Sequence, residues 1–325
     1  MLRVVRPVAA LLVLLAVVIA VLRTWHSVST ELGRLPLWAL LAALALMLLG
    51  LVPTVAAWRI LLADLGSSLP WPAAAGVFFV GQLGKYLPGS LWVVLAQSDL
   101  AARHGVPRRR TAVVGLVQVG ISIVVGLAMG VLAVPALVAG GVNRVWLVSL
   151  VALPVGAVIL HPPILNRVVG LGLRVLRQEP LEHEFSRRAV AGAAAVSALA
   201  WLLIGLQLWV LAVGLDAPAG RALLAAGFGY ALAASIGLLV VIVPAGLGAR
   251  DVAIVLTLST MMPRSAATAV ALVSRFVVLV ADLIAAAAGW AYERRDKAGS
   301  DTAPGDTGPG DTAPGDTARG GTVRG

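Results

Sequence analysis

Six ionisable side chains lie within apolar stretches of this sequence, where a charge is expensive to keep. They are Lys85, Asp99, Arg250, Asp251, Arg275 and Asp282. Charged residues inside membrane-spanning segments are rare and commonly line the path of a ligand or an ion. The alternative is that they form internal ion pairs that only orient helices. This alternative is equally strong for Arg275 and Asp282, because residues seven positions apart are separated by two helical turns and share a face.

Lys85 and Arg250 each lie beside a break in an apolar segment. The segments are 72–102 and 222–262, and each contains a proline that interrupts helical hydrogen bonding because it has no N–H donor. A helix that restarts after such a break presents free backbone N–H groups and the positive end of its dipole, which bind phosphate and carboxylate groups. We therefore favour a functional interpretation for both residues, as parts of an anion site between two broken helices near the middle of a membrane.

The predicted substrate-binding set joins these charges to the break residues and one amide. Its members are Lys85, Pro88, Gly89, Ser90, Gln97, Gly246, Gly248, Arg250, Asp251, Arg275 and Asp282. The natural ligand of such a site is an anionic lipid headgroup whose tails remain in the bilayer. The four histidines are scattered among loops, there is no cysteine, and neither a catalytic triad nor a Walker loop is visible. We therefore expect no enzyme activity, no catalytic residue, no metal and no cofactor, and membrane lipids rather than nucleic acid as partners.

The two broken segments belong to a repeat with a spacing of 156 residues. At this spacing two prolines and an arginine match without a gap: Pro88 with Pro244, Pro107 with Pro263, and Arg108 with Arg264. Each copy reads as a short helix, a break, a second short helix, Pro-Arg and a long helix. Paired broken segments are typical of transporters with inverted repeats. The sequence therefore predicts an inverted repeat with halves at roughly 72–140 and 228–296.

The composition is that of an all-α polytopic membrane protein. Hydrophobic residues make up 60% of the chain, charged residues 12%, and the mean hydropathy is +0.97, whereas soluble domains carry roughly twice that charge. Six full spans are expected, at 7–22, 37–63, 112–139, 145–160, 189–213 and 266–291. Trp38 and Trp58 are interpreted as interface anchors of the second span. The segments 72–102 and 222–262 are expected to be re-entrant pairs, with eight full spans as the alternative because 222–243 is long enough to cross.

The basic residues predict the orientation of the chain. The net charge of +10 is concentrated in a few stretches, at 3–6, 103–110, 167–188 and 294–297, and such stretches face the cytoplasm. We therefore expect a multi-pass protein of the cell membrane with both termini inside. Segment 72–102 then enters and leaves from the cytoplasm, and 222–262 from outside. Residues 162–188 are expected to include an amphipathic surface helix.

Two domains are expected along the chain. Residues 1–297 form the membrane domain, and residues 298–325 form a tail rich in Asp, Thr, Pro and Gly. Such a tail has almost no apolar residues to bury, so it is predicted to be disordered.

The two break motifs resemble those of one family. They are Gly84-Lys85-Tyr86-Leu87-Pro88-Gly89-Ser90 with Gln97 and Arg103-His104-Gly105-Val106-Pro107-Arg108, and Pro244-Ala245-Gly246-Leu247-Gly248-Ala249-Arg250-Asp251 followed by Arg275. Over roughly residues 5–295 the chain resembles the lysylphosphatidylglycerol synthase transmembrane family, also described as flippase-like membrane proteins. The second motif of that family usually reads Pro-Gly-Gly-Leu-Gly-x-Arg-Glu, whereas this chain has Ala245 and Asp251. Full-length synthases add a soluble aminoacyl-transfer domain, so the resemblance implies only the lipid-translocating part.

The expected function is translocation of an anionic lipid or a lipid-linked envelope precursor, by alternating exposure of the site between the two broken helices. One alternative is a non-catalytic membrane partner of envelope lipid or glycan enzymes, in which Lys85 and Arg250 could be replaced by glutamine without loss of function. The other is a membrane-embedded headgroup transferase, which would need a base and usually a metal. The substrate, the energy source and the oligomeric state remain open from the sequence.

Overall fold

The structure is a computed structural model that describes residues 29–86, 92–134, 148–239 and 249–301. Within these ranges all regular structure is helical, which confirms the predicted all-α class. The helices are α1 Leu37–Asp64, α2 Trp71–Gln82, α3 Trp92–Ala102, α4 Arg108–Val131, α5 Val148–Ile159, α6 Pro162–Val175, α7 Arg187–Gly214, α8 Ala219–Ala222, α9 Gly229–Leu239, α10 Ala249–Leu258 and α11 Arg264–Asp301. A 3₁₀ turn, Leu83–Tyr86, extends α2, and a π-helical stretch, Leu223–Phe228, joins α8 to α9.

Five helical segments in the described residues are long and apolar enough to cross a membrane: Leu37–Asp64, Arg108–Val131, Arg187–Gly214, Ala219–Leu238 and Arg264–Tyr292. Four of them match predicted spans. The fifth, Ala219–Leu238, is long enough to cross, as the eight-span alternative assumes. Helices α5 and α6 could add a sixth span, although they are bent by 75° at their junction. The expected span at 7–22 lies outside the described residues. Helix α11 runs to Asp301 and so continues into the first residues of the predicted tail.

Proline and glycine set the limits of several helices. Pro36, Pro70 and Pro107 each precede a helix directly, where the missing N–H costs nothing because the first turn has no carbonyl partner for it. Gly66 and Gly105 follow α1 and α3 with positive φ angles of 78° and 75°. This left-handed conformation is open to glycine and ends a helix by reversing the chain. Gly66 with Pro70, and Gly105 with Pro107, therefore allow the short connections that lead into α2 and α4.

One end of the bundle gathers basic residues, and we call it the basic end. Arg110 donates hydrogen bonds to Ser67 Oγ and, at 2.8 Å, to Glu182 Oε2. Asp64 accepts a hydrogen bond of 2.7 Å from the backbone N–H of Ser186. The end of α1, the start of α4 and the segment before α7 therefore meet here. Since α2 follows α1 and α3 precedes α4, the α2–α3 pair begins and ends at the basic end.

The opposite end, which we call the Glu31 end, is held by a second polar network. Arg34 bonds to Glu31 at 2.9 Å and to Asp216 at 2.8 Å. Ser265 donates a hydrogen bond of 3.3 Å to the other oxygen of Glu31. The start of α1, the end of α7 and the start of α11 therefore meet here. The chain between α7 and α11, which contains α9 and α10, begins and ends at the Glu31 end.

The two halves of the chain share helix boundaries at the spacing of 156 residues. Helix α4 begins at Arg108 and α11 at Arg264, 156 residues later, while the described parts of α3 and α10 begin at Trp92 and Ala249, 157 residues apart. The short first helix of each half packs on the long helix of the other half, so that α2 contacts α11 and α9 contacts α4. In both contacts a glycine of the long helix lies close to the backbone of the short helix, at Ala75 and Ala231, which are 156 residues apart, whereas the two glycines are 163 residues apart. A Cβ on Gly289 would lie 2.9 Å from the backbone oxygen of Ala75, and one on Gly126 would lie 3.0 Å from that of Ala231.

Trp58 is a core residue rather than an interface anchor. Its side chain is fully buried, and its ring contacts that of Phe78 edge to face, with the ring centroids 5.9 Å apart. It belongs to an apolar cluster between α1, α2, α4 and α7 near the basic end. The Trp38 side chain, at the start of α1, is exposed, so its role as an interface anchor stays a prediction. The packing of Trp58 fixes α2 against α1 and so positions the 3₁₀ turn that carries Lys85.

Candidate functional site: a charged cluster at mid-span

Helix α11 places two opposite charges near the middle of its membrane-spanning part. That part runs from Arg264 to Tyr292, so its midpoint is residue 278. Arg275 and Asp282 lie three residues before and four residues after this midpoint, or within about 6 Å of it at 1.5 Å per residue. Both broken segments make ion pairs with α11 at this level. The site therefore lies near the middle of this candidate span, and a charge in the middle of a membrane needs a partner.

The first broken segment reaches Asp282. Lys85, in the 3₁₀ turn after α2, places Nζ 2.6 Å from Asp282 Oδ2. The neighbouring Tyr86 donates a hydrogen bond of 2.5 Å to the same oxygen. The Asp282 side chain is only 3% exposed, and a carboxylate so deeply buried is stable only when it is paired and hydrogen-bonded. Lys85 and Tyr86 therefore serve as the counter-charge and donor that Asp282 requires.

The second broken segment reaches Arg275. Asp251, in the first turn of α10, accepts from Arg275 at 2.5 Å through Oδ2. Its other oxygen accepts from Arg250 at 3.2 and 3.4 Å. Arg250 also donates to the Tyr230 hydroxyl at 3.2 Å, and its guanidinium lies 5.6 Å from the centre of the Tyr230 ring. One carboxylate thus bridges two guanidiniums, and one of these, that of Arg250, lies over the ring of the buried Tyr230.

The residues around Asp282 and those around Asp251 form one cluster. The Tyr86 hydroxyl lies within electrostatic range of both Arg250 and Arg275, and the Tyr230 hydroxyl within range of Asp282. Among the described residues the cluster contains three cations, Lys85 and the two arginines, for two carboxylates. It therefore carries a net charge of plus one in a low-dielectric setting, where an uncompensated charge attracts an anion strongly.

The cations are more accessible than the carboxylate that is buried deepest. Side-chain exposure is 36% for Arg275 and 29% for Lys85, against 3% for Asp282. A ligand can therefore approach the positive groups without first displacing the core. Guanidinium groups suit phosphate and carboxylate oxygens because their N–H donors form a planar fork. The arrangement is suited to holding an anionic group at mid-span.

The structure brings five predicted site residues together: Lys85, Arg250, Asp251, Arg275 and Asp282. Five others lie outside the described residues: Pro88, Gly89, Ser90, Gly246 and Gly248. Gln97 lies elsewhere, between α2 and α3, where its buried amide donates to the backbone oxygen of Phe78 at 3.5 Å. Asp99 is exposed at the basic end and pairs with Arg108 at 2.7 Å.

The suggested ion pair between Arg275 and Asp282 is wrong. Arg275 pairs with Asp251, and Asp282 pairs with Lys85. Seven residues along one helix correspond to about 10 Å of axial distance, which is too far for a direct salt bridge. Each residue therefore finds its partner on a different segment. The expectation that these charges orient helices remains compatible with the observed pairs, since each one joins α11 to a broken segment.

Two tyrosines of the cluster were missed as site residues. Tyr86 and Tyr230 provide hydroxyls to Asp282 and Arg250. A signal for them exists in the sequence, because the chain has only three tyrosines and these two lie in apolar helical segments. A buried tyrosine hydroxyl needs a hydrogen-bond partner. A tyrosine directly after the intramembrane Lys85 therefore points to a polar neighbour.

Comparison with known proteins supplies one match. A family model described as the lysylphosphatidylglycerol synthase TM region matches residues 8–286. The match includes both broken segments and every charged residue of the cluster. Among curated proteins no sequence matches the chain.

Proposed function

The chain belongs to the family of the lysylphosphatidylglycerol synthase transmembrane region, and from this premise we propose that it translocates an anionic lipid or a lipid-linked envelope precursor. The observation that carries the proposal is the charged cluster, in which Lys85, Arg250 and Arg275 outnumber the carboxylates at mid-span. A lipid whose headgroup binds there keeps its tails in the bilayer. The headgroup is then held halfway between the two membrane surfaces.

Each broken segment contributes one cation next to its break. Lys85 lies just before the break of the first segment, and Arg250 lies at the start of α10 just after the break of the second. A phosphate bound by both would join two segments that come from opposite ends of the bundle. Breaking its contacts with one segment at a time is a physical route to alternating exposure.

The arrangement of the two pairs supports an inverted repeat. The α2–α3 pair begins and ends at the basic end, as indicated by the contact of Ser67 with Arg110. The chain through α9 and α10 begins and ends at the Glu31 end, as indicated by the contacts of Arg34 with Asp216 and of Glu31 with Ser265. We propose that both pairs are re-entrant, with opposite orientations, and that their exchange of packing partners reflects a two-fold axis in the membrane plane.

The cellular setting follows from the charges. The basic end carries Arg108, Arg109 and Arg110, so we place it at the cytoplasmic face of the cell membrane, with both termini inside. The proposed partners are membrane lipids with anionic headgroups. We assign no catalytic step to the cluster, and the proposed activity is movement of the intact lipid.

The test is lipid translocation in vesicles that contain the purified protein. Fluorescent anionic lipids are incorporated in both leaflets, and a membrane-impermeant quencher reports how many headgroups become accessible on the outer side. Lys85→Gln and Arg250→Gln should each reduce the rate by about tenfold or more, since the loss of one charge-assisted hydrogen bond costs about 1.5–3 kcal/mol.

Arg108→Gln is the matched control, because it removes one positive charge from an exposed pair at the basic end. It should leave the rate within about twofold of the native rate, given the small energies of surface ion pairs. The proposal fails if native protein moves no anionic lipid, or if Arg108→Gln reduces the rate as much as Arg250→Gln.

A further inference from the structure

We propose that Asp251 is a built-in competitor for the lipid phosphate. Its carboxylate holds the two guanidiniums that a headgroup phosphate would bind, so the phosphate must displace Asp251 to enter the site. This inference rests on the proposed function and adds a step to it. It also makes an unusual prediction, which is that removing a charged residue of the site strengthens binding.

The geometry of Asp251 is that of a bridging anion. Its two oxygens accept from different arginines, Oδ1 from Arg250 and Oδ2 from Arg275. A phosphate offers the same kind of oxygens with equal or greater negative charge, and guanidinium forks bind both groups. The position between Arg250 and Arg275 can therefore hold one of the two anions at a time.

The contacts of Arg250 are loose enough to be exchanged. In the described residues, its hydrogen bonds to Asp251 and Tyr230 are all 3.2 Å or longer, whereas charge-assisted hydrogen bonds are typically about 2.7–2.9 Å. A guanidinium has five N–H donors in a fixed plane. Arg250 can therefore exchange its contact with Asp251 for a phosphate that has entered beside the more exposed Arg275, whose side chain is 36% accessible against 18% for Arg250.

The Asp251 carboxylate can also be stabilised locally after a phosphate has displaced it. It lies in the first turn of α10, where backbone N–H groups and the helix dipole stabilise a negative side chain. Asp282 has no such option, because it is 3% exposed in the middle of α11 and held by Lys85 and Tyr86 at 2.6 and 2.5 Å. Of these two carboxylates, the structure assigns the exchangeable role to Asp251 and a fixed structural role to Asp282.

The experiment is calorimetric titration of the full-length protein in neutral detergent with dihexanoyl phosphatidylglycerol, compared with dihexanoyl phosphatidylcholine. Asp251→Asn should bind the anionic lipid about tenfold more tightly than native protein, corresponding to one charge-assisted contact that no longer has to be broken. Asp99→Asn is the matched control, since it makes the same change of net charge in an exposed pair at the basic end and leaves Asp251 between the two arginines.

Two further variants make the test independent of one substitution. Asp251→Glu keeps the negative charge and should bind within about twofold of native protein, because a carboxylate still competes. Asp251→Ser removes the charge but retains an oxygen that can cap the first turn of α10, and serves if the asparagine variant does not fold. It should show the same gain of about tenfold as Asp251→Asn.

The outcomes separate the two proposals. If native protein binds the phosphatidylglycerol no better than the phosphatidylcholine, the proposed function fails and the competitor role fails with it. If native protein prefers the anionic lipid but neither Asp251→Asn nor Asp251→Ser binds it more tightly, only the competitor role is overturned. An equal gain in Asp99→Asn also overturns that role, because the effect is then one of net charge alone.

Discussion

The pairing of the four charges on α10, α11 and the 3₁₀ turn can be tested by double-mutant cycles. The structure pairs Arg275 with Asp251 and Lys85 with Asp282, whereas helical spacing alone suggested a pair between Arg275 and Asp282. The variants are Lys85→Gln, Asp251→Asn, Arg275→Gln and Asp282→Asn, singly and in pairs. Free energies of unfolding in mixed micelles of neutral and denaturing detergent give the coupling energy of each pair.

The expected magnitudes follow from burial. Removing one partner of a fully buried ion pair costs about 3–5 kcal/mol, but Lys85 and Arg275 are 29% and 36% exposed, so solvent screens part of each interaction. We expect coupling energies of roughly 1–3 kcal/mol for both observed pairs, as for residues in contact. The Lys85 pair should be the stronger, because Asp282 is buried and Asp251 would still have Arg250. The crossed pair of Arg275 with Asp282 should couple by less than about 0.5 kcal/mol.

Asp99 and Arg108 provide the exposed reference, since their side chains are 66% and 70% accessible at the basic end. Their coupling should not exceed about 1 kcal/mol. A coupling of Arg275 with Asp282 larger than that of Arg275 with Asp251 would refute the pairing and restore the simple interpretation in which both charges belong to one helix face.

Two further predictions concern packing and topology. Gly289→Ala should lower the free energy of unfolding by about 1–3 kcal/mol, because its Cβ would lie 2.9 Å from a backbone oxygen of α2. Gly120→Ala is the control and should leave stability unchanged or raise it, because a Cβ there would have nothing within 4 Å. Equal effects of the two substitutions in detergent unfolding would contradict the contact of Gly289 with α2. Single cysteines at Ser67 and Arg108, introduced into a chain without native cysteine, should react with an impermeant maleimide from the same side of the membrane, and a cysteine at Asp216 from the other. Labelling of Ser67 and Arg108 from opposite sides would rule out a re-entrant α2–α3 pair.

The positions of the spans and breaks could be predicted because the bilayer imposes them. A helix needs about 20 apolar residues to cross, and this requirement located α1, α7 and the apolar part of α11 closely. Helix α4 ends at Val131, well before the predicted end at residue 139. Proline acts equally locally at helix starts, because Pro36, Pro70 and Pro107 directly precede helices and have no backbone donor to leave unpaired there. The cost of an intramembrane charge likewise pointed to the residues of the cluster.

The contacts between these elements could not be predicted in the same way. In a soluble protein an apolar stripe shows which face of a helix is buried, but lipid tails are as apolar as a protein core. The sequence around Trp58 therefore gave no sign that its side chain faces Phe78 rather than the interface. The partners of Arg275 and Asp282 depend on how three segments cross. Asp251 is 24 positions from Arg275 and Lys85 is 197 positions from Asp282, and neither separation carries a local signal of that crossing.

The proposed repeat does not extend to the charged residues, and this asymmetry bears on how the proposed site works. At the spacing of 156 residues, Arg275 corresponds to Val119 and Asp282 to Gly126, so α4 offers no counterpart to the charges on α11. Both broken segments are instead bonded to one long helix, through Lys85 on one side and Asp251 on the other. Movement of either segment relative to α11 must break an ion pair at mid-span. Separation of α9 from α4 would break no ion pair among the described contacts. We therefore infer that a single shared site, with α11 as its common wall, serves both halves of the molecule.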